Sequence, residues 1–281
     1  MNFLFLQCLI SLYSWVKAAK KPSTNLWSDI KLKNVHHDDI GPLSYLLGPD
    51  KNDFLHGFLK DLVYIISVRM SPPRDLCKNR RFMVLQMAST SFEGIGSLLK
   101  QVQFTVAVAM HSDRTAIWGF GFPFMFEHSK DMWDGEDRDN VVINGESLNC
   151  TQEDPLAGAF GCFFEPLSTC TLADIEPQEM IDFSNNVYNE TARAVMFEVR
   201  KGVALYHPPA GLFDYIAKQR GYTPEQRNQV KERESFLFAA AVTAYVFRVK
   251  PELVARFNDK FHALSPVPPS EILWGLHVRH G

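Results

Sequence analysis

The sequence contains no G-x-S-x-G, no H-E-x-x-H and no P-loop. This removes the local signatures of serine hydrolases built on a nucleophile elbow, of zincin peptidases and of P-loop nucleotide hydrolases. A basic excess is missing too: 29 Lys and Arg face 32 Asp and Glu, giving a formal net charge of −3 and a pI near 6.3. Nucleic acid is therefore not an expected partner. Cysteine is sparse, at five residues with no C-x-x-C and no histidine pair beside them, so no metal site is expected. Neither an internal repeat nor a low-complexity tract interrupts the chain.

What is present is a globular composition. The 281 residues are 46% hydrophobic and 22% charged, enough for one large domain or two modest ones. Phenylalanine is frequent at 22 residues. Its clusters at Phe120 to Phe126 and at Phe163-Phe164 point to an aromatic core.

The N-terminus carries a compartment signal. Residues Phe3 to Val16 are apolar apart from Gln7, Ser11 and Ser14, and Lys17, Lys20 and Lys21 follow. Fourteen residues fall short of the ~20 that a helical span needs. Val16-x-Ala18 offers small residues where a signal peptidase reads, so residues 1–19 are expected to be a signal peptide or a signal anchor, with a core helix as the other reading. Membrane association would run through this segment. Beyond Cys8, the cysteines Cys77, Cys150, Cys162 and Cys170 are even in number and allow three pairings, as suits an oxidising lumen. Asn149-Cys150-Thr151 and Asn189-Glu190-Thr191 are sequons that accept glycans in that compartment.

Residues 20–74 read as a leader or stem, with Gly41-Pro42, Gly48-Pro49 and Pro72-Pro73 among polar residues. Within it, Phe54, Phe58, Leu62 and Ile65 recur at helical spacing, giving either a stem helix or a domain-packing helix. Residues 75–265 read as an N-terminal α/β domain with a helical segment. Arg81 to Ala88 is strand-like and leads into the small, polar Ser89 to Gly96. Leu98, Leu99, Val102, Val106 and Ala109 then form a helical stripe with Ser97 near its cap, and Arg114 to Trp118 is the next strand. Strand, glycine turn, helix, strand is the βαβ pattern of a parallel sheet.

From Gly119 to about Asp182 the periodicity weakens, Asp131 to Asp139 reads as a solvated loop, and cross-links are expected to replace regular packing. After Asn186 helices are expected. One covers Asp214 to Gln219 and stops at Gly221, another starts near Pro224, Ser235 to Val246 is apolar on nearly all sides, and Pro251 to Leu264 carries Leu253, Phe257 and Phe261 on one face. The loop Ser265 to Pro269 leads into a final strand that ends in His277-Val278-Arg279-His280.

Two patterns carry chemistry. Gly94-x-Gly96 opening a helix is the local form of a phosphate-cradling turn, although Leu99 stands where G-x-G-x-x-G needs its third glycine; a tight turn with close helix packing explains the same residues. His277 and Arg279 share one face of a strand, and an arginine grips a phosphate with two parallel hydrogen bonds. Ligands of open α/β domains bind beyond the carboxyl ends of strands, so the chain is expected to reach its Gly281 where a binding site begins. His36-His37-Asp38-Asp39 lies in the polar leader, and Glu127, His128 and Glu165 are acids or bases by residue type alone.

Three segments in order resemble the core α1,6-fucosyltransferases and their relatives among GDP-fucose-dependent glycosyltransferases. They are Asp75-Leu76-Cys77-Lys78 through Gly94-Ile95-Gly96 to Arg114-Thr115; Phe164 to Thr171; and Tyr245-Val246-Phe247-Arg248 with Pro251, followed by Gly275-Leu276-His277-Val278-Arg279. The resemblance runs from about Asp75 to the end. It implies a GT-B-like α/β fold whose N-terminal half is largely present and whose C-terminal nucleotide-binding half is mostly missing, with residues 266–281 as its start. It implies inverting transfer of fucose from GDP-fucose, a substrate rather than a cofactor, to a glycan acceptor in the Golgi, without an obligatory metal. Arg279 would contact the donor diphosphate and His277 would shape that pocket, while His280 stands where the family has a second arginine. Cys77 and Cys170 fall on positions like a family disulfide, leaving Cys150 and Cys162 as a second pair. No catalytic base is named by the match. A noncatalytic secreted α/β binding module, or a transferase using another nucleotide sugar, are the alternative readings.

Overall fold

A computed structural model of the chain describes residues 27, 29–32, 54–86, 95–119, 140–143, 146–149, 164–181, 192–198, 207–251, 253 and 255. The first long element is helix α1, Phe54–Met70, ended by the Pro72-Pro73 pair two residues later. Phe58, Leu62, Val63, Ile65, Ile66 and Met70 are fully buried along it. Each such side chain contributes roughly 1.5–3 kcal/mol by leaving water. Of the two roles the sequence left open, α1 has the packing one. Trp27, Ile30 and Leu32 join the same core, so the packed domain reaches back across the 74/75 boundary drawn from the sequence.

A 3-10 helix at Arg74–Asn79 leads to strand β1, Phe82–Gln86. Helix α2, Ile95–His111, follows and returns the chain to strand β2, Thr115–Trp118, which lies parallel to β1 with Phe82 opposite Thr115. This is the βαβ unit expected from the residue pattern. The segment of weak periodicity holds an antiparallel pair, β3 (Asn140–Ile143) and β4 (Glu146–Asn149), whose register places Ile143 against Glu146.

The sheet is completed by β5, Met180–Ile181, and β6, Ala194–Glu198. All four strands run parallel in the order β2-β1-β6-β5. The segment after Asn186 thus begins with a strand and not with helices, a correction to the sequence reading. Ala194-Val195-Met196-Phe197 has no helical stripe, and its pairing with β1 along five positions decides its conformation.

Strand alternation sends Met83, Leu85, Ala116 and Trp118 to one face, where they meet the helices. Phe82, Val84, Ile117 and Ala194 point to the other, against Cys77, Cys170 and Ile175. Among the described residues, the helices therefore cover one face of the sheet. An irregular cross-linked segment covers the other.

The helical face continues with α3, Leu212–Arg220, α4, Pro224–Glu232, and α5, Glu234–Val246. Gly221 ends α3 at φ +68°, a left-handed position where a glycine carries no side-chain penalty. Thr223 caps α4: its Oγ1 accepts from the Gln226 N–H at 3.3 Å while Gln226 Oε1 accepts from the Thr223 N–H at 3.0 Å. Helix α5 packs against α1 with Phe238, Ala241, Val242 and Tyr245 fully buried, yet Phe236 at its start stays 73% exposed. Pro251, Leu253 and Ala255 are helical; Phe257, Phe261 and the final strand lie outside the described residues. No helix among the described residues is long and apolar enough to cross a membrane.

Candidate functional site

Because every strand of the sheet runs the same way, all carboxyl ends lie on one edge. β1 and β6 finish there side by side, with Gln86 registered against Glu198. β2 finishes beside β1, and the Gly119 N–H donates to the Leu85 carbonyl at 3.1 Å. A Cβ on Gly119 would stand 2.1 Å from Val84 Cγ1 and 2.9 Å from the Leu85 oxygen, so a glycine is needed for the chain to leave the sheet there. The crossovers β1 to β2 and β5 to β6 proceed in the same direction across the sheet. The connection from β2 to β5 runs the other way, from one edge of the sheet to the opposite edge, so the strand order reverses, the feature that opens a crevice beyond the carboxyl ends in doubly wound sheets.

Of the residues expected at a site, Gly96 is the second residue of α2, so it belongs to the first helical turn. Gly94 lies outside the described residues, as do His277, Arg279, Cys150, Cys162 and Asn189. Asn149 is the last residue of β4. Arg114 and Thr115, quoted in the resemblance, hold the opposite edge: Arg114 Nη1 donates to the Phe82 carbonyl at 3.1 Å, and Thr115 Oγ1 to the Arg69 carbonyl at 3.0 Å.

Cys77 and Cys170 are joined by a disulfide, with Cα atoms 5.5 Å apart. This is the pair the resemblance implies. Asp174 lies beside it, but its Oδ2 is taken by Arg74 at 2.6 Å and by the Thr171 N–H at 2.7 Å. With both sulfurs bonded to each other and the carboxylate neutralised, the group offers a cation nothing.

The Tyr245-x-x-Arg248 pattern serves structure. Tyr245 Oη donates to the Leu167 carbonyl at 2.6 Å and meets Ser71 Oγ at 2.9 Å, so one phenol ties α5, the end of α1 and the disulfide segment together. Burial raises its pKa above the usual phenol range, with Arg248 acting against that shift. The Arg248 guanidinium stacks on the Tyr245 ring at 4.1 Å and donates to the Pro166 carbonyl at 2.7 Å. Sequence reasoning missed this clamp. The spacing i, i+3 at a helix end was its only local sign.

No family model matches the chain, and no curated protein aligns with it significantly.

Proposed function

We propose that the chain forms an α/β half of a fucosyltransferase-like glycosyltransferase of the secretory pathway. Its reaction is inverting transfer of fucose from GDP-fucose to a glycan hydroxyl, in a GT-B-like arrangement with a second nucleotide-binding half. The disulfide between Cys77 and Cys170 carries the reading. It unites the two cysteines that the resemblance singles out from four, it links two of the three resembling segments, and it suits an oxidising lumen. The parallel α/β sheet is in keeping with the same reading.

The departing GDP needs cations on its diphosphate, because charge develops on the leaving oxygens in the transition state. Arg279 fills that role in this reading and His277 lines the pocket beside it. The acceptor hydroxyl needs a base, for which no residue is assigned.

The test is transfer of fucose from GDP-fucose to an N-glycan by the protein in its full natural length, with GDP binding followed by calorimetry. Arg279→Ala is expected to weaken GDP by about tenfold or more, as the loss of a charged hydrogen bond does. Turnover of a different nucleotide sugar would redirect the donor assignment. Absence of turnover together with unchanged GDP affinity in Arg279→Ala would overturn the proposal.

A further inference from the structure

His207 ties two helices together. Its carbonyl accepts from His111 Nε2 at the end of α2, and its ring Nδ1 meets Ser235 Oγ at 3.2 Å on the first turn of α5. The chain then runs through Pro208 and Pro209, both buried, into α3 at Leu212. The rings of His111 and Phe238 of α5 meet edge-to-face, with centroids 6.4 Å apart. One cluster of contacts therefore joins α2, α5 and the segment that enters α3.

The two histidines are placed differently. His207 is exposed, whereas His111 is partly buried against the fully buried Phe238. A carbonyl only accepts, so His111 Nε2 carries a hydrogen, and the ring is neutral when its Nδ1 carries none. Neither ring pairs with a carboxylate among the described residues. Ser235 offers His207 a hydroxyl, which donates to a neutral ring and accepts from a charged one. It fixes the ring and leaves its charge uncompensated.

Charged groups on the surrounding elements do not supply the missing partner. On the turn after α2, Asp113 is engaged by Arg69 and Arg81. Arg233 and Glu234, at the start of α5, precede Ser235 with opposite signs, and Asp214 is exposed in the first turn of α3. Among the described residues, the charged group that acts on His111 is the ring of His207. Burial, the largest effect, pulls the His111 pKa below the usual histidine value. The His207 carbonyl opposes this, and the His207 ring adds to the lowering.

We propose that His111 and His207 form an acid-released latch, closed on α2, α5 and the entry to α3 while both rings are neutral and opened when both take up a proton. Histidine is the side chain whose charge ordinarily changes between about pH 5 and 8. Two imidazolium rings held in one cluster repel, and the inner one would gain its charge away from water with no carboxylate to meet it. The closed His111 ring resists a proton that a solvated ring accepts. The open form therefore binds more protons and gains as pH falls below 6.5, whereas above that value the latch keeps its full contribution. The proposal does not rest on the glycosyltransferase reading, since none of the residues of that reading takes part.

The test is hydrogen exchange of the full chain at about pH 7.5 and about pH 5.5, either side of the ordinary histidine value, corrected for intrinsic amide rates, with the His111 ring followed by NMR. Exchange at Leu212 and Tyr215, whose amides donate to the Pro209 and Gly211 carbonyls, is expected to rise several-fold at the lower pH. His111→Gln keeps a donor for the His207 carbonyl and cannot take up a proton, so it should remove that rise. His207→Asn keeps the carbonyl and deletes the second charge, so it should move the His111 titration to higher pH and shrink the rise. A merely structural role for the two residues would change exchange equally at both pH values. A rise that persists unchanged in a folded His111→Gln protein overturns the proposal. So does a wild-type His111 ring that titrates like a solvated histidine, a measurement that needs no variant.

Discussion

Arg220 holds Asp61 with two hydrogen bonds, Nε to Oδ2 at 2.7 Å and Nη2 to Oδ1 at 2.5 Å. The pair ties the end of α3 to the middle of α1, and its two members are unequally placed: the Asp61 side chain is 1% exposed and that of Arg220 22%. The hydrogen bond to Asp61 raises the Arg220 pKa against the opposing effect of burial. Deleting the arginine leaves a carboxylate that cannot reach water, whereas deleting the carboxylate leaves a cation that can. Arg220→Leu should therefore cost about 3–5 kcal/mol, and Asp61→Leu roughly 1.5–3 kcal/mol. Urea unfolding of the two variants measures the difference, and equal costs would remove the asymmetry from the account.

The disulfide closes a loop of sequence separation 93 and joins the 3-10 helix at Arg74–Asn79 to the segment covering one face of the sheet. Restricting the unfolded chain over that length contributes about 4–5 kcal/mol. The Cys77→Ala, Cys170→Ala double variant should lose that amount by urea unfolding. Reductant should lower the unfolding midpoint of the wild type by more than that of the double variant, the difference measuring the Cys77–Cys170 bond.

The parts of the fold visible in the residue string are those fixed by local chemistry. β1, α2 and β2 follow from an apolar run, a helical stripe and a second apolar run, and the end of α3 and the start of α4 from Gly221 and Pro224. Asn144-Gly145 lies between the paired strands β3 and β4 and is a strong hairpin signal that the sequence reading passed over. β6 was not legible, because Ala194 to Glu198 becomes a strand through its neighbours β1 and β5 and not through its own pattern. The alignment of three arginines at the amino edge of the sheet was equally hidden. Arg81, Arg114 and Arg193 are far apart in sequence, and only the register of three strands sets them side by side. Of the site residues, Cys77 and Cys170 could be named but not paired from spacing alone, since four cysteines allow three pairings.

Gly119 gives a prediction about the carboxyl edge. An alanine there would drive its Cβ into Val84 Cγ1 and crowd the Leu85 carbonyl. Gly119→Ala should destabilise by about 1–3 kcal/mol, the usual cost of overpacking. Val84→Ala alone leaves a cavity and also destabilises. The double variant should be more stable than the sum of the single effects, because the removed methyl groups make room for the new one. Thermal unfolding of the four proteins gives the coupling; strict additivity would show that the backbone shifts away from Val84 instead.

Tyr222 supplies the pH dependence. Burial first, and the Asp61 carboxylate second, push its phenol up to about 12, with Arg220 acting in the opposite direction. An unfolded tyrosine ionises near 10, so between pH 10 and 12 the unfolded chain has given up a proton that the folded protein keeps. The unfolded state binds fewer protons in that window, and stability must fall as pH rises through it. Below pH 10 the contribution is complete. Tyr222→Phe removes the ionisable group and should flatten the decline contributed by this residue. It should also delete a tyrosinate step near 12, not near 10, from the absorbance titration at alkaline pH. Loss of a step near 10 would mean that the ring is solvated and that Asp61 does not act on it.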